Sequence, residues 1–445
     1  MTAVRRARSG GVRRGLPLAV AAATLLALAP PLTGPAAATE ACEQPPTADS
    51  LIEDVPYAQL AWDPAGQVWP FSTGRGITVA LLDTGVQASH PQLAGRVSGG
   101  LDALRGGTAA VDCTPHGSGL AGLVVAGTQS GVGLRGLAPD ALVVPVQVTD
   151  DPQETPGDQP VDTGVLAAAL DASVGAGAQV VLFGVVAFAD DPALAAAVSR
   201  AVASGVVVVA PAGDGHDRDR DGENLPTSPV ATPYPASYPG VIGVAAVGPD
   251  GLRLETSQIG SYVDLAAPGG DVVSTGTSAQ QVYSGTAPAA AFVAATAALL
   301  LAAPDLTFST GPARVQQVTD RLAATAVPAP EETGYGAGVL SPGRALTEET
   351  TAEAPVPGPA YQDPPRDPAA EAAAAARADA AARSTRWAVG AGVVGLLALL
   401  MGWVLPRARR RRWRVGVRRP APATPDEPPG FVPAAALFRA GDREH

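Results

Sequence analysis

The stretch "VALLDTGVQASHPQL", residues 79–93, decides the fold of this chain. It contains most of an apolar run, "ITVALLD" (77–83), that ends in the carboxylate of Asp83 and is followed by a Thr-Gly turn. An apolar run without polar alternation indicates a strand buried on both faces, which is typical of parallel sheets. Four further runs of the same kind cover residues 141–148, 179–188, 205–211 and 241–247.

Helix-like stretches lie between these strands, at residues 117–128, 163–176 and 191–203. Strands that alternate with helices predict an α/β fold with a mainly parallel central sheet. A further stretch at 287–303, "APAAAFVAATAALLLAA", is apolar on every side. It predicts a helix that is buried all round.

Charge is distributed unevenly along the 445 residues, whose formal net charge is −12. Residues 1–38 carry five Arg and no acid, and residues 387–445 carry ten Arg and four acids. Subtracting these from the chain's 30 basic and 42 acidic residues leaves 15 basic and 38 acidic residues in 39–386, a balance of −23. A body this acidic excludes nucleic acid as the expected partner.

Both ends of the chain have the pattern of membrane-directed segments. Residues 1–38 combine a basic start, an apolar run and an Ala-rich end, which predicts a secretory signal peptide; the alternative is a retained N-terminal anchor. Residues 387–405 carry no charge over about 28 Å of helix and precede an Arg-rich cluster, which predicts a transmembrane helix rather than a buried core helix. The body is then expected outside the cell membrane, joined to the helix by a Pro/Ala-rich linker at 350–386, with the basic tail 406–445 in the cytoplasm.

Three segments carry candidate catalytic residues. Asp83 ends a predicted strand, and His116 begins a predicted helix in "CTPHGSGLAGLVVAG" (113–127). The third segment, "YSGTAPAAAFVAATAALLL" (283–301), turns into the buried helix. Carboxylate, imidazole and a turn before a helix, in that order, are the Asp…His…Ser order of subtilisin-type catalysis. The structural alternative is an Asp that caps a turn and a His bonded to it, and Ser118 is predicted to cap the helix.

The chain resembles the subtilases over most of residues 56–346. Further matches are "GLAPDALVVPVQV", "VVVVAPAGD", "VDLAAPGGDVVST" and "GYGAGVLSPGRAL". Within that family it resembles the mycosins, the membrane-anchored subtilases of actinobacterial type VII secretion systems. The resemblance implies a subtilisin-like three-layer domain at 76–349, an N-terminal extension at 39–75 that wraps it, and partners among the type VII membrane complex components.

The resemblance breaks down at residues that carry the family's chemistry. The family motif Gly-Thr-Ser-x-Ala-Ala-Pro here reads Gly-Thr-Ala-Pro-Ala-Ala-Ala, so Ala287 takes the place of the serine nucleophile. Asp214 takes the place of the asparagine whose amide stabilises the oxyanion, and an ionised carboxylate would repel that charge. Leu182 and Gly184 replace polar residues of a strand beside the substrate. Loss of the nucleophile typically costs on the order of 10⁶ in rate.

Two features outside this motif set predict further bonds. Cys42 and Cys113, both expected in an oxidising compartment, predict a disulfide worth roughly 4 kcal/mol, the alternative being two free thiols. Asp217, Asp219 and Asp221 with Gly222 form the D-x-D-x-D-G start of a calcium loop, but its twelfth position is Ser228 and not Glu. Calcium is therefore a candidate only, against a solvated acidic loop, and no other cofactor is expected.

Three functions compete on this sequence. The first is a catalytically inactive pseudoprotease that serves as a structural or binding component of a type VII secretion system. The second is a serine endopeptidase that uses a substitute hydroxyl, for which Ser284 and Thr286 are the nearby candidates. The third is capture of an extended peptide by strand addition without cleavage.

Overall fold

The structure is a computed structural model that describes residues 51–152, 161–215, 231–329 and 333–350, and the isolated positions 401, 405, 406 and 409. The chain divides into two units, Met1–Pro364 and Pro365–His445. The four long ranges belong to the first unit, and only the isolated positions belong to the second.

Parallel pairing organises the main sheet of the described residues. Nine strands form: β1 (Thr78–Asp83), β2 (Leu101–Asp102), β3 (Leu142–Gln147), β4 (Val180–Phe183), β5 (Val207–Pro211), β6 (Val241–Val247), β7 (Leu265–Pro268), β8 (Val272–Thr275) and β9 (Gln280–Tyr283). The first seven make one sheet in the order β2-β3-β1-β4-β5-β6-β7, with every neighbouring pair parallel. Strands β8 and β9 form a separate antiparallel pair. The five predicted strands are confirmed as β1, β3, β4, β5 and β6.

Eight helices accompany these strands in the described residues. They are α1 (Tyr57–Trp62), α2 (Pro64–Gln67), α3 (His116–Val125), α4 (Thr163–Gly175), α5 (Pro192–Ala203), α6 (Thr286–Ala302), α7 (Pro312–Ala324) and α8 (Pro342–Thr347). Two of the predicted helices begin at an aspartate whose carboxylate accepts backbone N–H groups of the first turn, Asp162 for α4 and Asp191 for α5. Such caps satisfy donors that a helix leaves unpaired at its start.

Alternate residues of the strands divide the interior into two apolar layers. On β1, Val79 and Leu81 face a cluster that includes α3 and α6, whereas Ala80 and Leu82 face a cluster that includes α4 and α5. The sheet is therefore covered by helices on both faces, which explains why its strands lack polar alternation. The predicted α/β three-layer fold is confirmed.

Helix α6 runs through the interior, as its composition predicts. Every residue from Thr286 to Leu300 is buried, and the helix packs against β4, β5, β6, β7 and α3. Its alanines let the backbone come close to the sheet, since a small side chain takes little room between layers. Phe292 of this helix meets Trp62 of α1 edge to face, with ring centroids 5.0 Å apart. The segment before the sheet is thus packed onto the central helix.

The strand order places a crevice at the carboxyl end of β1. Strand β1 lies between β3 and β4; helix α3, which leads into β3, covers one face of the sheet, and α4, which leads into β4, covers the other. Crevices at such switch points are where open α/β sheets hold their functional groups. Asp83, the last residue of β1, lies there.

None of the helices in the described residues is long and apolar enough to cross a membrane. The predicted signal peptide 1–38 lies outside the described residues. So does nearly all of the predicted linker, transmembrane helix 387–405 and tail 406–445. These segments and their boundaries stay predictions.

Candidate functional site

Asp83 and His116 lie in direct contact. The Nδ1 atom of His116 is 2.9 Å from Oδ2 and 3.0 Å from Oδ1 of Asp83. The Asp83 side chain is fully buried, whereas 12 % of the His116 side chain is exposed. A buried carboxylate on Nδ1 orients the imidazole and directs its Nε2 atom away from the carboxylate. The two elements predicted to carry this pair, a strand end and a helix start, bring the side chains together.

The Asp83 carboxylate is held by its own turn. The backbone N–H of Thr84 donates to Asp83 Oδ1 at 2.6 Å, and the Thr84 hydroxyl accepts from the backbone N–H of Gly117 at 3.1 Å. On the other side, a Cβ atom at Gly184 would lie 1.7 Å from Asp83 Oδ2. Gly184 was expected to make its segment less polar beside a substrate. In the structure it directly follows β4, and its lack of a side chain leaves room for the Asp83 carboxylate.

Asp112 is a second buried carboxylate of this site, and the sequence analysis missed it. Its Oδ2 accepts from the backbone N–H of Ser118 at 2.8 Å and from the Ser118 hydroxyl at 2.7 Å. Its Oδ1 lies 2.9 Å from the Thr84 hydroxyl, which also lies 3.0 Å from Asp83 Oδ1. The sequence feature that could have indicated this role is an acidic residue four positions before His116, where the helix starts.

Burial raises the pKa of Asp112 to about 7. The negative charge of Asp83 acts in the same direction, while the hydrogen bonds from Ser118 and Thr84 oppose the shift.

The prediction that Ser118 caps α3 was wrong, because the acceptor of the free helical N–H is the Asp112 carboxylate. The Ser118 hydroxyl instead joins Asp112 to the backbone N–H of Gln87, from which it accepts at 2.8 Å.

Tyr283 ties the last strand to the start of α3. Its hydroxyl lies 2.8 Å from the carbonyl oxygen of Pro115 and 2.7 Å from that of Thr275. A Cβ atom at Gly119 would lie 2.3 Å from Cζ of the same ring, so the ring rests on the helix backbone. Burial raises the pKa of the Tyr283 hydroxyl, which therefore stays protonated. Tyr283 thus holds the backbone at Pro115, directly before His116.

Ala287 is the second residue of α6 and is fully buried. The turn before it is sharp: Gly285 has φ 144°, a value that side chains rarely adopt. The position predicted for a nucleophile is therefore at a turn into a helix, as expected, but it carries a methyl group. A methyl group has no lone pair and no proton to transfer.

Asp214 is directed at the start of α6. Its Oδ2 accepts from the backbone N–H of Thr286 at 2.9 Å and from the Thr286 hydroxyl at 3.1 Å. The positive end of the helix dipole favours a negative charge at this place. The carboxylate predicted at the oxyanion position thus lies one residue from Ala287, bound to the helix backbone.

The two candidate substitute hydroxyls make other contacts. The Thr286 hydroxyl, besides its bond to Asp214, accepts from the backbone N–H of Gly213 at 3.1 Å. The Ser284 hydroxyl accepts from the backbone N–H of Asp271 at 2.9 Å and lies 3.3 Å from Asp271 Oδ1. Neither geometry shows a hydroxyl bonded to His116.

Other candidate residues lie wholly or partly outside the described structure. Cys113 is exposed, three positions before His116, but Cys42 lies outside the described residues. The calcium candidates Asp217, Asp219 and Asp221 lie outside them too. The disulfide pairing and the calcium site stay predictions.

Residues 74–338, more than half of the chain, match the model of the peptidase S8 family, described as the subtilase family. The chain belongs to the subtilase family. Among relatives by sequence, this subtilase is 34 % identical over 262 residues to thermitase of Thermoactinomyces vulgaris, covering 59 % of this chain and 87 % of thermitase. It is 32 % identical over 274 residues to subtilisin E of Bacillus subtilis, covering 60 % of this chain and 65 % of subtilisin E.

Solved structures similar to this subtilase include two mycosins. MycP1 from the ESX-1 type VII secretion system is 27 % identical, with a TM-score of 0.59 and coverage of 71 % of this chain and 91 % of MycP1. MycP3, described as a protease from the type VII (ESX-3) secretion system, is 29 % identical, with a TM-score of 0.56 and coverage of 68 % and 90 %. The resemblance to subtilases and mycosins is confirmed.

Proposed function

We propose that this subtilase is a catalytically inactive, membrane-anchored relative of the mycosins that serves as a structural or binding component of a type VII secretion system. The observation that carries the inactivity is Ala287, a methyl group at the turn into α6 where the family places its serine. The Asp83–His116 pair then has no nucleophile to deprotonate.

The surroundings of Ala287 support the same conclusion. Asp214 places a carboxylate where catalysis needs a hydrogen-bond donor to the oxyanion. The same carboxylate also accepts the nearby backbone N–H of Thr286, so that this donor is already occupied. Loss of one oxyanion donor alone typically lowers the rate 10²- to 10³-fold. The hydroxyls of Ser284 and Thr286 are bonded elsewhere, so neither replaces the missing serine.

The role in secretion rests on similarity and on the chain ends. MycP1 and MycP3 are described as proteins of type VII secretion systems, and this chain covers about nine-tenths of each. The signal peptide and transmembrane helix predicted at 1–38 and 387–405 place the body outside the membrane and the tail inside the cytoplasm. The proposed partners are the membrane components of that secretion complex, with an extended peptide as a second ligand of the crevice.

Covalent labelling tests the inactivity. The purified full chain, a His116→Ala variant and an active subtilisin are treated with a fluorophosphonate probe, which modifies activated serine and threonine hydroxyls. We expect labelling of the subtilisin and none of this chain. Labelling of the wild-type chain that disappears in His116→Ala would overturn the proposal and establish an endopeptidase with a substitute nucleophile.

Co-purification tests the secretion role separately. The tagged full chain is solubilised from its own membranes in mild detergent, and the proteins that accompany it are identified. We expect type VII membrane components, at the same yield with wild type and with His116→Ala. Recovery of the chain alone, from cells that contain an assembled secretion complex, would contradict the role without bearing on the inactivity.

A further inference from the structure

A small cleft lies beyond the last residue of α3, at the end of the helix opposite His116. It has a volume of about 210 Å³, and its lining includes Trp69, Arg96, Gly127, Thr128, Arg135 and Asp140. The ten residues of α3 rise about 15 Å, so the cleft is separate from the Asp83–His116 pair. The two arginines distinguish this cleft, because the formal charge of the body, residues 39–386, is strongly negative.

Arg96 lies across the backbone of Gly127. Its Nε donates to the carbonyl oxygen of Pro139 at 2.8 Å, which fixes the plane of the guanidinium. A Cβ atom at Gly127 would lie 2.8 Å from Arg96 Nη1, so a larger residue would push the guanidinium away. Within the part of the chain that the structure describes, no carboxylate pairs with Arg96.

Arg135 is held on the other side of the cleft by an aromatic ring. Its guanidinium carbon lies 5.3 Å from the centroid of the Trp69 ring, and its Nη2 donates to the Thr128 hydroxyl at 2.5 Å. Trp69 is itself fixed, because its Nε1 donates to the carbonyl oxygen of Leu137 at 3.0 Å. Stacking of this kind orients an arginine while leaving part of its fork available to a ligand.

Asp140 does not neutralise either of these arginines. Its Oδ2 accepts from Arg75 Nη2 at 2.7 Å and from the Thr73 hydroxyl at 2.8 Å, at the edge of the cleft. Among the described residues, Arg96 and Arg135 make no ion pair. Two half-buried, oriented guanidinium groups therefore line one small space without an ion pair of their own, since Asp140, which also lines it, is paired with Arg75. Planar forks of this kind match the two oxygens of a carboxylate.

We propose that this cleft is a binding site for a carboxylate group, carried by an acidic peptide side chain or by a small carboxylic acid. At about 30 Å³ for each water in the liquid, the volume equals about seven waters, enough for a carboxylate and a few carbons. The charge of Asp140 at the edge disfavours a dianion such as phosphate more than a monoanion. Arg96 and Arg135 bind the carboxylate, and Trp69 packs against its carbon chain.

Calorimetric titration of the full chain tests the ligand class. Three probes are compared: butyrate, the blocked peptide acetyl-Ala-Glu-Ala-amide, and inorganic phosphate. We expect saturable binding of butyrate, the peptide or both, at least ten-fold tighter than phosphate, and the tighter of the two identifies the source of the carboxylate. Absence of saturable carboxylate binding, or equal binding of phosphate, would overturn the proposal.

Variants and protection locate the site. Arg96→Gln is expected to weaken carboxylate binding at least ten-fold, whereas Arg314→Gln leaves it unchanged; Arg314 also donates through Nε to a backbone carbonyl, that of Ser309. Should Arg96→Gln fail to fold, the wild type is modified with phenylglyoxal and analysed by mass spectrometry. The bound carboxylate is expected to slow modification of Arg96 and Arg135 but not of Arg314. A carboxylate that slows modification of all three arginines equally, or of none, would contradict the site.

Discussion

Asp214 and Thr286 are joined by two hydrogen bonds to one oxygen: Oδ2 of the carboxylate accepts both the backbone N–H and the hydroxyl of Thr286, at 2.9 and 3.1 Å. This contact begins α6 and sets the electrostatics next to Ala287. A carboxylate at this place stabilises the start of a helix and opposes an oxyanion.

Restoring the serine alone is therefore expected to be insufficient. Ala287→Ser supplies a hydroxyl but leaves the Asp214 carboxylate beside the developing negative charge. Ala287→Ser combined with Asp214→Asn is expected to react 10²- to 10³-fold faster than Ala287→Ser, measured as the rate of fluorophosphonate labelling. Adding His116→Ala to the double variant serves as control and abolishes the gain. Equal rates in the single and double variants would contradict the role assigned to Asp214.

Asp112 is expected to make stability depend on pH. Its pKa of about 7 in the folded chain exceeds the ordinary 3.8, so between these values the folded state holds a proton that the unfolded state has lost. The free energy of unfolding therefore falls as pH rises from about 4 to about 7, by at most about 4 kcal/mol from this group. Chemical unfolding of Asp112→Asn across that range should show a flatter profile.

The control for this profile is Asp320→Asn, at an exposed position of α7. It should follow the wild-type pH dependence throughout. Burial also raises the pKa of Asp264, to about 6, so a slope of the same sign remains in both variants. A profile of Asp112→Asn as steep as that of the wild type would show that Asp112 is ionised in the folded chain.

Gly184 is expected to tolerate no side chain. In Gly184→Ala the new Cβ atom would meet the Asp83 carboxylate and the Leu120 side chain, both buried, so the protein should lose about 1–3 kcal/mol of unfolding free energy. Gly175→Ala is the matched control, because nothing lies within 4 Å of its Cβ position at the end of α4. That variant should be unchanged or more stable by up to about 1 kcal/mol. Equal unfolding midpoints for both variants would show that Asp83 moves at no cost.

Gln92 is expected to be a strong determinant of stability. Its buried amide donates to the carbonyl oxygens of Gly127 and Leu134, at 2.9 and 3.0 Å, and accepts from Gln280 at 2.7 Å. Gln92→Leu leaves these buried groups without that partner and should lower the unfolding free energy by about 2–4 kcal/mol. Gln316→Leu, at an exposed position of α7 with one hydrogen bond to Asp320, should change it by less than about 0.5 kcal/mol. Similar losses in both would contradict this role.

The sequence was sufficient for five of the seven strands of the main sheet and for the contact between Asp83 and His116. Buried parallel strands leave a clear signal, because both faces of each strand must be apolar. The position of a carboxylate at a strand end and of an imidazole at a helix start then follows from the order of the elements. Four strands and four helices were not predicted: β2, β7, β8, β9, α1, α2, α7 and α8. Most of them are short, and their pairing and packing depend on distant residues.

Sequence patterns could not predict the role of Asp112 or the cleft lined by Arg96 and Arg135, because both depend on groups that only the folded backbone brings together. A hydroxyl at a helix start suggested that Ser118 was the cap, but the folded backbone brings a nearby carboxylate to the same N–H. Arg96 and Arg135 are separated by 39 positions in the sequence but line one cleft, together with Gly127. Residues that come together in this way leave neither a periodic pattern nor a local motif in the sequence.

The start of α6 has one consequence for how this chain can change over generations. Gly285, Thr286 and Asp214 provide the turn and the hydrogen bonds that begin the helix, and the side chain at position 287 provides none of them. An alanine there is free of structural penalty, so it can be inherited without loss of the folded protein. The architecture thus separates the survival of the shape from the survival of the chemistry, and a lineage can keep the first after it has lost the second.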